Sequence, residues 1–277
     1  MYSAFSGGAI GVNVGFEEAV ELAAHYGFEG IYLDLGYLLE EGPETIVYML
    51  EERSLKPAGW VLPVPLTGDQ PEYEEGLERL KEAADAAMRA RALRCCIWIS
   101  PASDQMPYRK RFDFMLERLN PVCQILDENE IRLGLEFIGP ATSRQGKQYE
   151  FIHDMEGMLA LCRAVETDNC GLLLDSWHLY TSGGQMDDVL ELEDADVVDV
   201  HINDAPEGVP REEQIDNVRR LPGETGVIDV GRFLRNLQEI GYSGPVMCEP
   251  FSERLKAMDN EEAVETTKSA IDSVWPD

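Results

Sequence analysis

The chain has 277 residues, 44% of them hydrophobic, and its 53 acidic and 23 basic side chains give a formal net charge of −30. This charge repels nucleic acids and anionic membranes, so neither is expected as a partner. No apolar run approaches the roughly 18 residues of a membrane span, and the N-terminal sequence does not resemble a signal peptide. We therefore expect a cytoplasmic protein, whose six cysteines, with no CxxC pair among them, are reduced core residues.

Short β-type segments alternate with longer segments of helical periodicity along the whole chain. Eight strands are predicted, at 3–11, 30–35, 57–63, 94–101, 131–140, 170–177, 197–204 and 245–251. The helices predicted between them include 15–27, 71–92, 111–130, 150–166, 230–242 and 260–275. Pro121 predicts a kink or a break in the third of these helices, and Gly241 predicts the C-terminal cap of the fifth.

Eight strand-and-helix units in about 250 residues are typical of a (β/α)₈ TIM barrel of the α/β class. No linker-like run of Pro, Ser and Gly divides the chain, so residues 1–277 are predicted to form a single domain. An open doubly wound sheet is the main alternative, but no GxGxxG or P-loop motif follows any predicted strand. In TIM barrels the functional residues lie at the carboxyl ends of the strands, and we expect them there.

The last four predicted strands end in residues that can bind a metal ion, namely Glu136, Asp175, His201 and Glu249. Each interrupts an apolar or β-branched run, where a lone charge is costly unless it is paired, hydrogen-bonded or bound to a metal. Neighbouring strands lie ~4.8 Å apart, so inward-pointing side chains on consecutive strands can converge on one point. Three carboxylates and one imidazole favour a divalent ion such as Mn²⁺, Zn²⁺ or Co²⁺. A satisfied polar group at the barrel rim is the alternative for each residue taken singly.

Five segments, LGLEFIGP, GLLLDSWH, VHINDAP, RRLPGETGVID and VMCEPF, carry a family resemblance. Together they resemble the xylose isomerase-like TIM-barrel superfamily of sugar isomerases and epimerases, and within it the inosose (2-keto-myo-inositol) isomerases. The resemblance is strongest over residues 131–255 and elsewhere rests on the alternation of strands and helices. It implies one divalent metal ion, held by Glu136, Asp175, His201 and Glu249.

The resemblance also implies a reaction, in which a proton is removed next to a carbonyl group to give a cis-enediolate and is then returned. Glu136 and Glu249 are the implied acid/base pair, and the substrate is a sugar or cyclitol. His178 and Arg219 are the implied substrate-binding residues, with His178 expected to lean over the barrel mouth. A capping histidine and a solvated loop arginine are the alternatives for these two, and the neighbouring arginines 211 and 220 are alternatives to Arg219.

Several further residues have two interpretations each. Trp60 and Trp98 are predicted at strand ends, where they form either an apolar wall against the substrate or part of the core. Asp204 either orients a metal ligand or forms a turn. His25 and His153 lie in or near predicted helices and are interpreted as structural.

Other functions remain open from the sequence. A metal-dependent dehydratase or lyase acting on polyols or glycosides would use the same ligands. Ketose 3-epimerases usually carry another glutamate about six residues after the first ligand, where this chain has Thr142. Apurinic endonuclease-like phosphodiesterases share the barrel but need more strand-end histidines than the four in this chain provide. A non-catalytic sugar-binding or subunit role is another alternative, which a purified protein without metal would indicate. A homo-oligomer is a further possibility.

Overall fold

The computed structural model describes residues 1–276 and contains one large parallel sheet. These residues contain eleven strands in all: β1 Tyr2–Phe5, β2 Gly30–Ile31, β3 Lys56–Pro57, β4 Trp60–Val61, β5 Arg94–Ile99, β6 Ala102–Ser103, β7 Arg132–Phe137, β8 Tyr149–Glu150, β9 Cys170–Asp175, β10 Val197–Ile202 and β11 Pro245–Cys248. The large sheet has the order β3-β2-β1-β11-β10-β9-β7-β5-β4, and β6 and β8 form a separate antiparallel pair. Because β3 and β4 are two pieces of one short segment, the sheet closes on itself as an eight-stranded barrel.

Ten α-helices accompany the strands in the described part of the chain. They are α1 Phe16–His25, α2 Leu35–Glu41, α3 Pro43–Glu52, α4 Gln70–Arg89, α5 Tyr108–Asp127, α6 Met155–Ala164, α7 Ser176–Ser182, α8 Val230–Glu239, α9 Glu253–Lys256 and α10 Asn260–Val274. Within residues 1–276, no helix combines the length and the apolar character needed to cross a bilayer.

Local sequence signals explain the boundaries of several helices. Asp69 accepts the Glu72 N–H and the Glu72 carboxylate accepts the Asp69 N–H, a capping box that starts α4. Helix α8 buries an apolar stripe against the barrel, formed by Val230, Phe233, Leu234 and Leu237. It is followed by Gly241 at φ 87°, a left-handed conformation that glycine adopts without strain.

The barrel prediction is confirmed, but individual boundaries differ from those predicted. The strand predicted over residues 3–11 ends at Phe5, and a 3₁₀ turn occupies Gly8–Ile10. Of the kink or break predicted at Pro121, the break is absent, since α5 runs through this residue. Proline has no N–H, so Pro121 cannot donate the usual helix hydrogen bond to the carbonyl of Glu117. Because Glu117 is exposed, water can donate to this carbonyl instead.

Candidate metal centre

The carboxyl ends of four barrel strands bring the four expected ligands together. Asp175 is the last residue of β9, and His201 lies opposite it in register on β10. Glu136 lies near the end of β7, and Glu249 directly follows β11. One ligand atom from each residue lies within 4.8 Å of the other three. These four residues are called the ligand cluster below.

Within residues 1–276, two buried atoms of the ligand cluster have no hydrogen-bond partner: Nδ1 of His201, which lies 3.5 Å from Oε2 of Glu249, and Oε1 of Glu136. They are 3.8 Å apart, which is too far for a hydrogen bond. Because an unpaired buried polar atom costs roughly 1–3 kcal/mol, two such atoms facing each other indicate a shared partner such as a cation. Donor atoms about 2.0–2.2 Å from a single ion lie at most about 4.4 Å apart. The donor atoms of the cluster are of the types that bind a divalent ion. Their largest separation, 4.8 Å, exceeds this limit by less than about half an ångström.

Asn203 holds two members of the cluster in place. Its side-chain amide donates to both carboxylate oxygens of Asp175, at 3.1 and 3.3 Å, and its side-chain carbonyl accepts the Glu249 N–H at 2.9 Å. Asp175 also caps α7, because one of its oxygens accepts the Trp177 N–H at 2.7 Å. Asn203 is fully buried. The sequence prediction does not include Asn203, although its position two residues after His201 at a strand end is a usable signal.

Arg219 is buried among the carboxylates, with 2% of its surface exposed. Its Nη1 lies 2.8 Å from Oδ2 of Asp175 and 3.3 Å from Oε2 of Glu249, and its Nη2 lies 2.8 Å from Oδ1 of Asp216. Burial acts against the charged guanidinium, but Asp175, Glu249 and Asp216 outweigh it and raise the pKa of Arg219. The positive charge offsets part of the negative charge of the cluster.

The two other candidate arginines lie away from the ligands. The guanidinium of Arg211 lies over the ring of Tyr180, and that of Arg220 donates to the backbone carbonyl of Arg219. Among these three arginines, Arg219 is the one that contacts the ligand cluster.

His178 lies in the first turn of α7, just past the end of β9, and is fully buried. Its Nδ1 accepts the Gly139 N–H at 3.1 Å. A Cβ on Gly139 would lie 2.2 Å from the His178 carbonyl oxygen, so the close approach requires glycine. Burial, with Arg219 and His201 nearby, lowers the pKa of His178 well below 6.5 and keeps the ring neutral.

Both ring nitrogens of His178 lie against hydrogen-bond donors. The Gly139 N–H is 3.1 Å from Nδ1, and Nη2 of Arg219 is 3.0 Å from Nε2. A neutral ring accepts at one nitrogen only, and Arg219 cannot accept a hydrogen bond. A proton on Nε2 would therefore leave this group and the guanidinium as two donors that need a common acceptor, such as an oxygen atom of a bound molecule. Nε2 is also 3.8 Å from Oε1 of Glu136.

The ligands differ in their affinity for protons. Burial, reinforced by Glu249 and Asp175, raises the pKa of Glu136 well above its usual value. Burial also raises the pKa of Asp175, against the opposing effect of Arg219. The pKa of Glu249 is lowered, because His201 and Arg219 outweigh burial. Burial lowers the pKa of His201, but Glu249 and Glu136 outweigh it and raise the value to about 9. An ion binding at neutral pH therefore displaces protons from the cluster.

Two cavities open on the ligand cluster and share Glu136, Glu249 and Trp98. The first, of about 400 Å³, is called the apolar cavity, and its lining includes Phe5, Val12, Val14, Phe16, Leu33 and Trp60. The second, of about 440 Å³, is called the polar cavity, and its lining includes Ser143, His178, Asp216, Asn217 and Arg219. The volume of each lies in the range of roughly 300–1,000 Å³ found for small-molecule sites.

The two predicted tryptophans have different environments. Trp98 lies opposite Glu136 in register, is 59% exposed and lines both cavities. Trp60 is 1% exposed, and its indole N–H donates to the carbonyl of Ala92 at 3.0 Å. Trp60 thus belongs to the core and also lines the apolar cavity.

The remaining polar candidates lie outside the ligand cluster. The carboxylate of Asp204 accepts N–H groups from Ala205, Thr225, Gly226 and Ile228, and so shapes the loop that follows Arg219. His25 is exposed on α1, and the ring of His153 contacts the carbonyl of Phe151.

A second buried carboxylate, Asp199, lies two residues before His201 on β10 and is absent from the sequence prediction. It accepts a hydrogen bond from the Tyr32 hydroxyl and lies 3.4 Å from the thiol of Cys96. The edge of the Tyr32 ring faces the His201 ring, with 6.4 Å between the ring centroids. This group packs beneath the ligand cluster and restricts the orientation of His201.

Comparison with known proteins places this geometry in a family. An inosose isomerase from Bacillus subtilis is 29% identical over 150 residues, which cover 54% of this chain and 51% of that protein. The match thus spans about half the length of this relative. A xylose isomerase domain protein from Alicyclobacillus acidocaldarius is 27% identical, with a TM-score of 0.85 over 96% of this chain and 95% of that one. The crystal structure of the IolI protein with a bound zinc atom has the same fold, with a TM-score of 0.82, 21% identity, and coverage of 99% and 98%.

The sequence pattern that defines the xylose isomerase-like TIM barrel family matches residues 20–273, which include all four ligands. The closed parallel sheet agrees with this match. The chain therefore belongs to the xylose isomerase-like TIM barrel family.

Proposed function

We propose that the protein is a divalent-metal-dependent isomerase or epimerase of a sugar or keto-inositol, built as a single domain over residues 1–277. The observation that carries the proposal is the ligand cluster, in which Oε1 of Glu136 and Nδ1 of His201 face each other without a partner. The inosose isomerase relative and the zinc-bound protein of the same fold support it.

The metal would be held by Glu136, Asp175, His201 and Glu249, and Zn²⁺, Mn²⁺ and Co²⁺ suit these donors. A divalent ion at such a site supplies electrostatic stabilisation to a substrate oxygen that gains negative charge. Arg219 and Asn203 keep Asp175 and Glu249 in position.

Glu136 and Glu249 are the proposed acid/base pair, because both border the two cavities. One carboxylate accepts the proton from the carbon between a carbonyl and a hydroxyl group, and the C–H electron pair becomes the double bond of an enediolate. Return of a proton to the neighbouring carbon, with transfer of the hydroxyl proton to the former carbonyl oxygen, gives isomerisation. Return of a proton to the opposite face of the original carbon gives epimerisation. His178 donates its Nε2–H to the substrate oxygen that becomes negative.

Thr142 occupies the position where ketose 3-epimerases usually carry a further glutamate. Its hydroxyl donates to the carbonyl of Gln214 at 2.6 Å. Thr142 therefore joins two loops and supplies no acid, which favours an inosose over a ketose as substrate.

Proton exchange in D₂O tests this function. Metal-loaded protein is incubated with a panel of keto-inositols and ketoses, and loss of the α-proton is followed by NMR. We expect exchange with at least one compound, and a decrease of about 10²–10⁴-fold in Glu136→Gln and Glu249→Gln. Glu253→Gln is the matched control, because this side chain is exposed near the end of β11.

Two results would reject the proposed function. One is no exchange with any member of the panel, and the other is unchanged exchange in Glu249→Gln. Loss of water or of a substituent in the same spectra would instead identify a lyase.

A further inference from the structure

The two cavities beside the ligand cluster differ in the hydrogen bonds they can offer. The polar cavity contains the side chains of Ser143, His178, Asp216 and Asn217, together with the apolar side chains of Trp98, Ile138 and Phe251. The apolar cavity is walled mainly by aliphatic and aromatic side chains from the loop after β1, from α1 and from β4. Apart from the ligands themselves, a hydroxyl-rich ring therefore finds most of its side-chain partners in the polar cavity.

The few polar groups in the apolar cavity are largely engaged already. The Tyr32 hydroxyl donates to Asp199, and the Asp34 carboxylate caps α2 by accepting the Tyr37 N–H at 2.9 Å. Ser6 is the remaining side-chain hydroxyl in the lining. A sugar hydroxyl buried there without a partner would weaken binding by roughly tenfold or more. Ser6 and the second oxygen of Asp34 are thus the side-chain partners left in a wall that is otherwise mainly aliphatic and aromatic, and this wall suits a hydrocarbon group better than a second polyol face.

The apolar lining continues to the barrel mouth. Val61 on β4 is 68% exposed, and Trp98 on the neighbouring β5 is 59% exposed. Both line the apolar cavity. Isolated exposed apolar side chains are common, but these two form the open edge of a cavity whose floor is the ligand cluster. A group that fills the cavity would also cover them.

We propose that the natural substrate is amphiphilic, a cyclic α-hydroxyketone that carries an alkyl or aryl substituent away from the ketone. The polar cavity takes the hydroxyl-bearing part, and the apolar cavity takes the substituent. This inference rests on the proposed function, since the ketone is placed at the ligand cluster. It extends that function by selecting a substituted polyol over a free keto-inositol or ketose.

Three probes test the inference: a keto-inositol, its mono-O-methyl ether and its mono-O-benzyl ether, each substituted at the carbon opposite the ketone. Their affinities for Zn²⁺-loaded protein are measured by isothermal titration calorimetry, and α-proton exchange is followed in parallel. Burial of a benzyl group predicts a dissociation constant about 10–100-fold lower for the benzyl ether than for the methyl ether. The methyl ether controls for loss of the hydroxyl donor.

Variants locate the bound substituent. Val14→Ser and Val61→Ser introduce a polar group into the apolar cavity, and each should reduce the benzyl preference several-fold. Val61 is exposed, so its replacement does not disturb the core. Val209→Ser is the matched control, because Val209 is also exposed and lines neither cavity; it should leave the preference unchanged.

The outcomes separate this inference from the proposed function. Equal affinities for the three probes, or failure of all three to bind, would overturn the inference, as would a benzyl preference that survives both Val14→Ser and Val61→Ser. If exchange occurs while the affinities are equal, the isomerase function stands without the substituent. If the benzyl ether binds more tightly but no α-proton exchanges, the apolar cavity is correctly assigned and the isomerase function is rejected.

Discussion

The two sides of the barrel contribute different things to the site. Strands β7, β9, β10 and β11 and the loops after them supply all four ligands, the neutral His178 and the buried Arg219. The loop after β1, helix α1 and strand β4 supply an apolar wall. On the proposed function, the ligand side carries out the reaction and the apolar side selects the molecule that is accepted. Changes on the ligand side should therefore abolish metal binding or turnover.

Asp175→Asn is expected to have the largest effect. It removes a ligand and the negative charge beside Arg219, and the protein should no longer retain a divalent ion. Asp216→Asn is the matched control, because Asp216 also contacts Arg219 at 2.8 Å but does not belong to the ligand cluster. Elemental analysis after dialysis measures both. One retained ion per chain in Asp175→Asn would contradict the assignment.

His178→Ala should keep the metal and lose turnover. Removing one donor to a developing negative charge costs about 10²–10³ in kcat, and His178 is not among the ligands. His153→Ala is the control, since its ring bonds to the Phe151 carbonyl and lines neither cavity. The rate of α-proton exchange and the metal content are measured on the same preparations. Full activity in His178→Ala would show that the Nε2–H group does not act on the substrate.

Asn203→Ala should weaken metal binding without removing a ligand. Groups that orient metal ligands typically contribute 10–100-fold to affinity, and Asn203 orients both Asp175 and Glu249. Competition with a chelator measures the affinity for Zn²⁺, with Asn13→Ala on the exposed surface as control. An affinity equal to that of the wild type would mean that Arg219 and the cap of α7 suffice to hold the ligands.

Metal affinity should also depend on pH. The pKa of His201 is raised to about 9 in the metal-free protein, so below pH 9 an ion must displace this proton. Affinity should rise by about tenfold per pH unit between pH 7 and 9 for one displaced proton. The raised pKa of His201 also adds to the free energy of unfolding of the metal-free protein. This contribution is complete below about pH 6.5 and is lost as the pH rises through 9. Calorimetric titration at several pH values measures the slope, and an affinity independent of pH would contradict this protonation state.

The ligand cluster could be predicted from the sequence because each ligand interrupts an apolar strand, where a charge needs a partner. The same reasoning did not identify Asn203 or Asp199, since a neutral amide near a turn and an acid within a strand are ambiguous without their neighbours. The first half was harder to predict, because β2, β3 and β4 contain two residues each and α2 and α3 follow within a few residues. Strands this short have no period to detect. The buried position of His178 depends on Gly139, which lies 39 residues away in sequence.

The most direct test returns metal to the metal-free protein while α-proton exchange of a keto-inositol is followed in D₂O. We predict that the exchange rate rises in proportion to added Zn²⁺ or Mn²⁺ and stops rising at about one ion per chain, as expected for a single four-ligand site. Exchange that persists in the metal-free protein, or none at full metal occupancy with any substrate of the panel, would contradict the central claim.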